Sequence, residues 1–121
     1  MRRRIFVFGS NMLGIHGAGA ARYAADFCGA EPCVGEGLTG ESYALPTCFA
    51  PGQPVPMDLL RDACRKFARF ARQNQDMDFL LTAVGCGIAG FTTSAVFPLF
   101  GELSDNVYIQ ARLASGHFSA T

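Results

Sequence analysis

The run Ile5-Phe6-Val7-Phe8-Gly9-Ser10-Asn11-Met12-Leu13-Gly14-Ile15-His16-Gly17-Ala18-Gly19-Ala20-Ala21 changes character twice, and the order of the changes decides the fold class. Ile5 to Phe8 are all β-branched or aromatic, too few for a helix, and closed by Gly9. A short run that is apolar at every position reads as a strand covered on both faces, as in parallel sheets. Gly9 to Gly17 is a loop. From Ala18 to Cys28 the chain is alanine-rich, and Gly29 follows as at a helix C-terminus. Strand, loop and helix in that order make the repeating unit of an α/β protein.

The unit returns further along. Asp78 to Val84 reads as a second buried strand, Gly85-Cys86-Gly87-Ile88-Ala89-Gly90 as a second glycine loop, and Thr93 or Ser94 as the cap of a short helix through Phe100. Between the two units, Pro32 to Gly40 carries Gly35, Gly37 and Gly40 without a period and reads as a loop or weak edge strands. Ser42 to Leu45 reads as a short strand stopped by Pro46. Pro51, Pro54 and Pro56 mark a surface connection to a helix that begins near Met57, with Asp58 suited to its first turn. Leu59, Ala63, Phe67, Phe70 and Ala71 form its apolar face, while Arg61, Arg65, Lys66, Arg69 and Arg72 fill the other. Asn106 to Gln110 is expected as a last strand, and from Ser115 the tail reads as frayed. The whole, residues 1–121, is expected to be one α/β domain: a three-layer α/β/α sandwich around a mixed, mainly parallel sheet.

Composition bounds what such a domain does. The chain has 121 residues, and compact domains typically run about 100 to 150. With 50% hydrophobic and 17% charged residues it has the balance of a folded protein. Ten Lys plus Arg against ten Asp plus Glu give a net charge of zero, so no whole-molecule field draws nucleic acid or an anionic membrane. Arg2, Arg3 and Arg4 have the charge of a signal-peptide start, but the apolar run after them stops at Gly9, short of the roughly 7 to 15 residues required. The cytoplasm is the expected compartment, with no membrane association. Five cysteines without CxxC spacing are expected to be free thiols, and the two histidines stand far from any zinc-finger pattern, so no metal and no cofactor is expected.

In open α/β sheets, ligands gather where loops leave the carboxyl ends of strands. Two glycine-rich loops leave two expected strands here. Glycines let backbone N–H groups approach an anion closely, and a helix that starts near Gly17 aims its positive end at the same place. A diphosphate between the loops is therefore expected, although tight turns also call for glycine. No Gly-Lys-Ser/Thr follows the first loop, which argues against a triphosphate P-loop, and Arg22 stands where a dinucleotide fingerprint needs its third glycine.

Taken together, three segments resemble the macrodomain family. Gly9-Ser10-Asn11 through His16-Gly17-Ala18-Gly19-Ala20-Ala21 is similar to its signature of an Asn, a glycine loop and a small-residue helix. Thr39-Gly40 to Tyr43-Ala44-Leu45-Pro46 resembles the middle segment that ends in a Leu-Pro strand end. Gly85-Cys86-Gly87-Ile88-Ala89-Gly90-Phe91 resembles the second phosphate loop. The three lie in the family's order from Ile5 to about Val107, and their wording is closest to a compact bacterial and phage branch. The resemblance implies an ADP-ribose-type ligand, or a similar nucleotide. Gly14 to Gly19, with Gly9 and Ser10 before them, and Gly85 to Gly90 would then enclose the diphosphate. Phe91 would lie near the distal ribose, and Asn11 would touch that ribose or a catalytic water. The chain also departs from the family: no acid follows Phe8 to meet an adenine, His16 replaces a glycine, and Cys48 and Phe49 follow Thr47.

Each residue has a plainer reading beside this one. Asn11 is also a good turn residue. His16 has the chemistry of an acid, base or phosphate donor, and is equally an ordinary loop histidine. Glu36, between two glycines, is the acid best suited to a base, a ribose hydroxyl or water, or a solvated loop carboxylate. Cys86 is a small residue that fits its loop more readily than an activated thiolate, and Tyr43 reads as a packed sheet residue. If the protein is an enzyme, Asn11 with His16 or Glu36 would position water to hydrolyse an ADP-ribosyl or phosphoester bond. The competing readings are an interaction protein with a degenerate pocket, for which a homo-oligomer is in keeping, and an RNA binder working through the basic helix face.

Overall fold

The structure, a computed structural model, describes residues 2–109. The expected strand end at Gln110 and the tail from Ser115 lie outside the described residues. β1 (Arg3–Asn11) is the central strand because its alternate side chains are apolar on both faces. It pairs in parallel with β3 (Ser42–Ala50) on one side and with β5 (Met77–Leu81) on the other, and β6 (Val107–Ile109) continues in parallel beyond β5. β2 (Gly37–Thr39) and β4 (Gln53–Pro54) pair antiparallel with β3, so the six-stranded sheet is mixed. Three helices accompany it among the described residues: α1 (Gly19–Phe27), α2 (Met57–Gln73) and α3 (Thr93–Val96), the last running into a 3-10 turn at Phe97–Phe100.

The strand alternation divides the interior. Ile5 and Val7 point to the larger core, where Leu60, Ala63, Cys64, Phe67 and Ala71 of α2 meet Leu45, Phe79 and Leu81. Phe6 and Phe8 belong to a smaller cluster with Ala24 of α1 and Ala44 of β3. Phe67 is fully buried at the middle of the larger core, its ring 5.0 Å from Tyr43, 5.4 Å from Phe79 and 6.0 Å from Phe100. Burial pushes the Tyr43 phenol up to about 12, with a smaller upward push from Glu36, and burial likewise pushes the Cys64 thiol up to about 12.

Buried Asn106 closes the far end of the sheet. Its Nδ2 donates to the carbonyls of Ala71, Asn74 and Met77 at 3.0, 3.1 and 3.0 Å, and its Oδ1 accepts from Ser104 Oγ at 2.6 Å. One side chain thus ties the end of α2 to the start of β5, adding to the backbone bonds that Asn74 and Met77 N–H already make to the Ala71 and Asn74 carbonyls.

Five local expectations change. β1 runs on through Gly9 and Ser10 to Asn11, where the sequence reads as a loop, because its pairing with β3 continues past Phe8. Leu59 is exposed and Leu60 is buried, because the stripe that meets the sheet is Leu60, Ala63, Cys64, Phe67, Ala68 and Ala71, a strict helical spacing that Leu59 breaks. β3 runs through Pro46 instead of stopping there. Its pairing with β2 ends at Ala44 and that with β4 begins at Cys48, so the missing N–H falls on a stretch of edge that has no partner. β5 ends at Leu81, since the amide and hydroxyl of Thr82 both turn back onto the Val7 carbonyl. Finally, Thr92 caps α3 through Ala95 N–H, and Pro98, which cannot donate to an α-helical ladder, gives a 3-10 turn through Phe100. All five cysteines are free thiols. Among the described residues no helix is long and apolar enough to cross a membrane.

Candidate functional site

The parallel strands β1, β3 and β5 end together, and a cleft of about 510 Å3 opens where they do. Small-molecule sites commonly span about 300–1,000 Å3. Gly9, Ser10 and Asn11 reach it from β1; Ile15, Gly17, Ala18 and Gly19, followed by Ala20 and Ala21, reach it from the first loop and the start of α1. Thr47, Cys48 and Pro51 come from the end of β3. Thr82 to Gly85, with Gly87, Ile88 and Ala89, come from the loop after β5. The end of β1 meets the second loop where a Cβ on Gly9 would stand 3.1 Å from the Gly85 nitrogen, so a side chain at Gly9 would press on that loop.

The sequence shapes the cleft locally in two ways. Opposite β1, the register passes from Ser10 with Pro46 to Asn11 with Cys48, which makes Thr47 the extra residue of a bulge in β3. Its side chain is thereby turned under the second loop, where Cγ2 lies 3.5 Å from the Cβ positions of both Gly9 and Gly85. At α1, Ala18 provides no side-chain cap and the first turn holds no acid. The first-turn N–H groups are left without intrahelical partners, and the positive end of the helix dipole meets the cleft unneutralised.

Glycine serves two purposes here. Gly14, Gly19, Gly85 and Gly90 have positive φ, and Gly14 is also pressed on the Cys33 backbone, where a Cβ would clash at 2.3 Å. Fold geometry accounts for these four. Gly17 and Gly87 are different: neither has a left-handed φ, and no heavy atom lies within 4 Å of where their Cβ atoms would stand. Both line the cleft.

The polar side chains at the cleft are engaged with the backbone. Asn11 Nδ2 donates to the Ile15 carbonyl at 2.8 Å while its Oδ1 accepts from Ile15 N–H at 3.1 Å, which ties the loop to the end of β1. Ser10 Oγ donates to the Gly35 carbonyl. Thr47 Oγ1 donates to the Ser10 carbonyl at 3.1 Å, and Thr82 Oγ1 to that of Val7 at 2.6 Å.

Other residues singled out from the sequence lie away from the lining. His16 turns inward: Nε2 donates to the Glu31 carbonyl at 2.9 Å and the ring stands edge-on to Phe8 at 5.3 Å. Glu36 pairs with Lys66 of α2 at 3.4 Å. Cys86 Sγ is 3.5 Å from the Val84 carbonyl, and burial pushes its thiol up, away from thiolate at neutral pH. Phe91 packs against the larger core. The sequence reading had not picked out Thr47, Cys48, Pro51 or Thr82 to Val84. Thr82 carried a usable signal, since Leu80-Leu81-Thr82 places a hydroxyl where an apolar strand ends. Among the described residues, no group of three His, Cys, Asp or Glu side chains is arranged to hold a metal ion.

No family model, curated protein or solved structure matches the chain.

Proposed function

We propose that the cleft binds ADP-ribose or a related nucleoside diphosphate, and that the chain is a compact α/β/α sandwich of macrodomain type. The observation that carries the reading is the pair Gly17 and Gly87. Glycine costs a folded chain conformational entropy, and at these two positions neither backbone conformation nor packing requires it. An anion that must approach the backbone N–H groups does require it. The uncapped start of α1 supports the same ligand, because a diphosphate supplies the acceptors and the negative charge that the helix end lacks. Ile15 and Ile88 add apolar walls suited to the body of a nucleoside. The sandwich reading is supported by the separate clusters around α1 and α2, which take up alternate side chains of β1.

The proposal is of binding. Asn11, His16 and Glu36, the side chains suited to handling water, are respectively held by Ile15, the Glu31 carbonyl and Lys66. Thermal unfolding with ADP-ribose, ADP, AMP and NAD tests the reading. At 100 times its dissociation constant a ligand of the folded state adds about 2.7 kcal/mol of stability. A clear upward shift of the midpoint is expected with ADP-ribose, and no shift with any of the four would overturn the proposal.

A further inference from the structure

The two faces of the sheet are covered unequally. In the register across its centre, Phe6 of β1 stands beside Leu80 of β5 and Leu80 beside Tyr108 of β6, so the three side chains form one row on one face. Ile5, Val7, Phe79, Leu81 and Val107 point the other way and are buried in the core with α2. The face that carries the row has α1, whose buried Ala24 meets Phe8 and Ala44 and so lies over β1 and β3. β5 and β6 lie on the other side of β1 from β3. A groove of about 600 Å3 remains beside the helix, floored by Phe6, Leu80 and Tyr108 and walled by Tyr23 and Phe27 of α1.

We infer that this groove is the interface of a symmetric dimer, its occupant the same face of a second copy of the chain. Area favours a second copy. Phe27 is 75% exposed, Tyr108 55%, Tyr23 50% and Leu80 41%. At about 200 Å2 for an aromatic side chain, the four leave roughly 400 Å2 of apolar surface open on each copy. A standard interface takes about 800 Å2 from each partner, a little over half of it apolar, so the face matches what a stable dimer needs. The aromatic wall is set in advance: Tyr23 and Phe27 lie one helical turn apart, and the Phe6–Tyr23 and Tyr23–Phe27 ring centroids are each 5.0 Å apart. Charge favours the same occupant. Asp78 and Glu41 line the groove, paired with Arg2 and Arg3, and Arg4 lines it with no ion pair among the described residues. A strongly acidic or strongly basic partner finds no matching field here. A two-fold contact instead needs both signs on one patch, so that Arg4 of each copy meets an acid of the other. With zero net charge, two copies also approach without long-range repulsion.

The test is sedimentation of the full chain over a wide range of concentration, for the wild type and for Phe27→Lys, Tyr108→Lys and Phe49→Lys. The wild type is expected to sediment as a dimer that dissociates on dilution. Phe27→Lys ends α1 on a cation, which suits a helix C-terminus, and Tyr108→Lys alters a separate element, so thermal unfolding should find at least one of them folded. A two-fold interface uses each residue twice, and loss of an aromatic anchor from both copies should weaken self-association about a hundredfold or more. Phe49→Lys, at an exposed phenylalanine of β3 outside the groove, should leave the dimer intact. A wild type that stays monomeric at every concentration, the result if residues 110–121 or an unrelated protein cover the face, would overturn the inference. So would a dimer that survives in the folded groove variants, or one lost equally in Phe49→Lys.

Discussion

Gly87→Glu is expected to abolish nucleotide binding and to leave the protein folded. Gly87 lies in the loop after β5, lines the cleft, and has open space where a Cβ would stand. Its φ lies outside the left-handed region, so an ordinary side chain is accommodated without strain. A glutamate there carries an anion to the place proposed for the diphosphate. At a separation of 4 Å and an effective dielectric of about 20, two like charges repel by about 4 kcal/mol, roughly a thousandfold in affinity. Calorimetric titration with ADP-ribose, run beside thermal unfolding of the same samples, measures both halves of the expectation. Retained affinity would place the ligand elsewhere.

Phe67→Ala is expected to cost about 3–5 kcal/mol of stability, by loss of transferred surface and by the cavity that remains. A domain of this kind holds only about 5–15 kcal/mol in total. Phe67 is the contact point of α2 with the sheet, meeting Tyr43 of β3, Phe79 of β5 and Phe100 of the 3-10 turn. Four elements therefore lose packing from one truncation. Urea denaturation of variant and wild type gives the difference directly. Leu59→Ala, on the exposed side of the same helix, should fall within about 0.5 kcal/mol of wild type. Similar losses in the two variants would contradict the arrangement of α2.

The sequence made some of this legible and hid the rest for physical reasons. Ile5 to Phe8 and Phe79 to Leu81 are apolar at every position and so announced themselves as strands, although Leu80 is exposed and β5 is covered on one face only. The amphipathic spacing of α2 was equally plain, but neighbouring leucines at 59 and 60 left its phase ambiguous by one residue, and contact with the sheet decided for Leu60. Pro46 misled because a proline's cost in a strand depends on which edge its nitrogen faces, and that follows from the arrangement of β2 and β4 around β3. The glycine loops were visible as composition. Which glycines serve the turn and which leave open space was not, since that distinction depends on φ and on neighbours distant in sequence. His16 and Glu36 drew notice for their chemistry, yet the Glu31 carbonyl and Lys66 engage them across gaps of sequence that periodicity does not report. Thr47 enters the cleft through a bulge, a matter of register between β1 and β3 that one strand's sequence does not contain.

The most direct test of the central claim follows the backbone amides themselves. An amide proton–nitrogen correlation spectrum, recorded while ADP-ribose is added, reports on the N–H groups proposed to hold the diphosphate. The largest shifts are expected at Gly17, Gly19 and Ala20 in the first loop and α1, and at Gly85 and Gly87 in the second, with little change at Asn106 on the far end of the sheet. A spectrum that stays unchanged through saturating ADP-ribose, or shifts confined to residues outside the cleft, would contradict it.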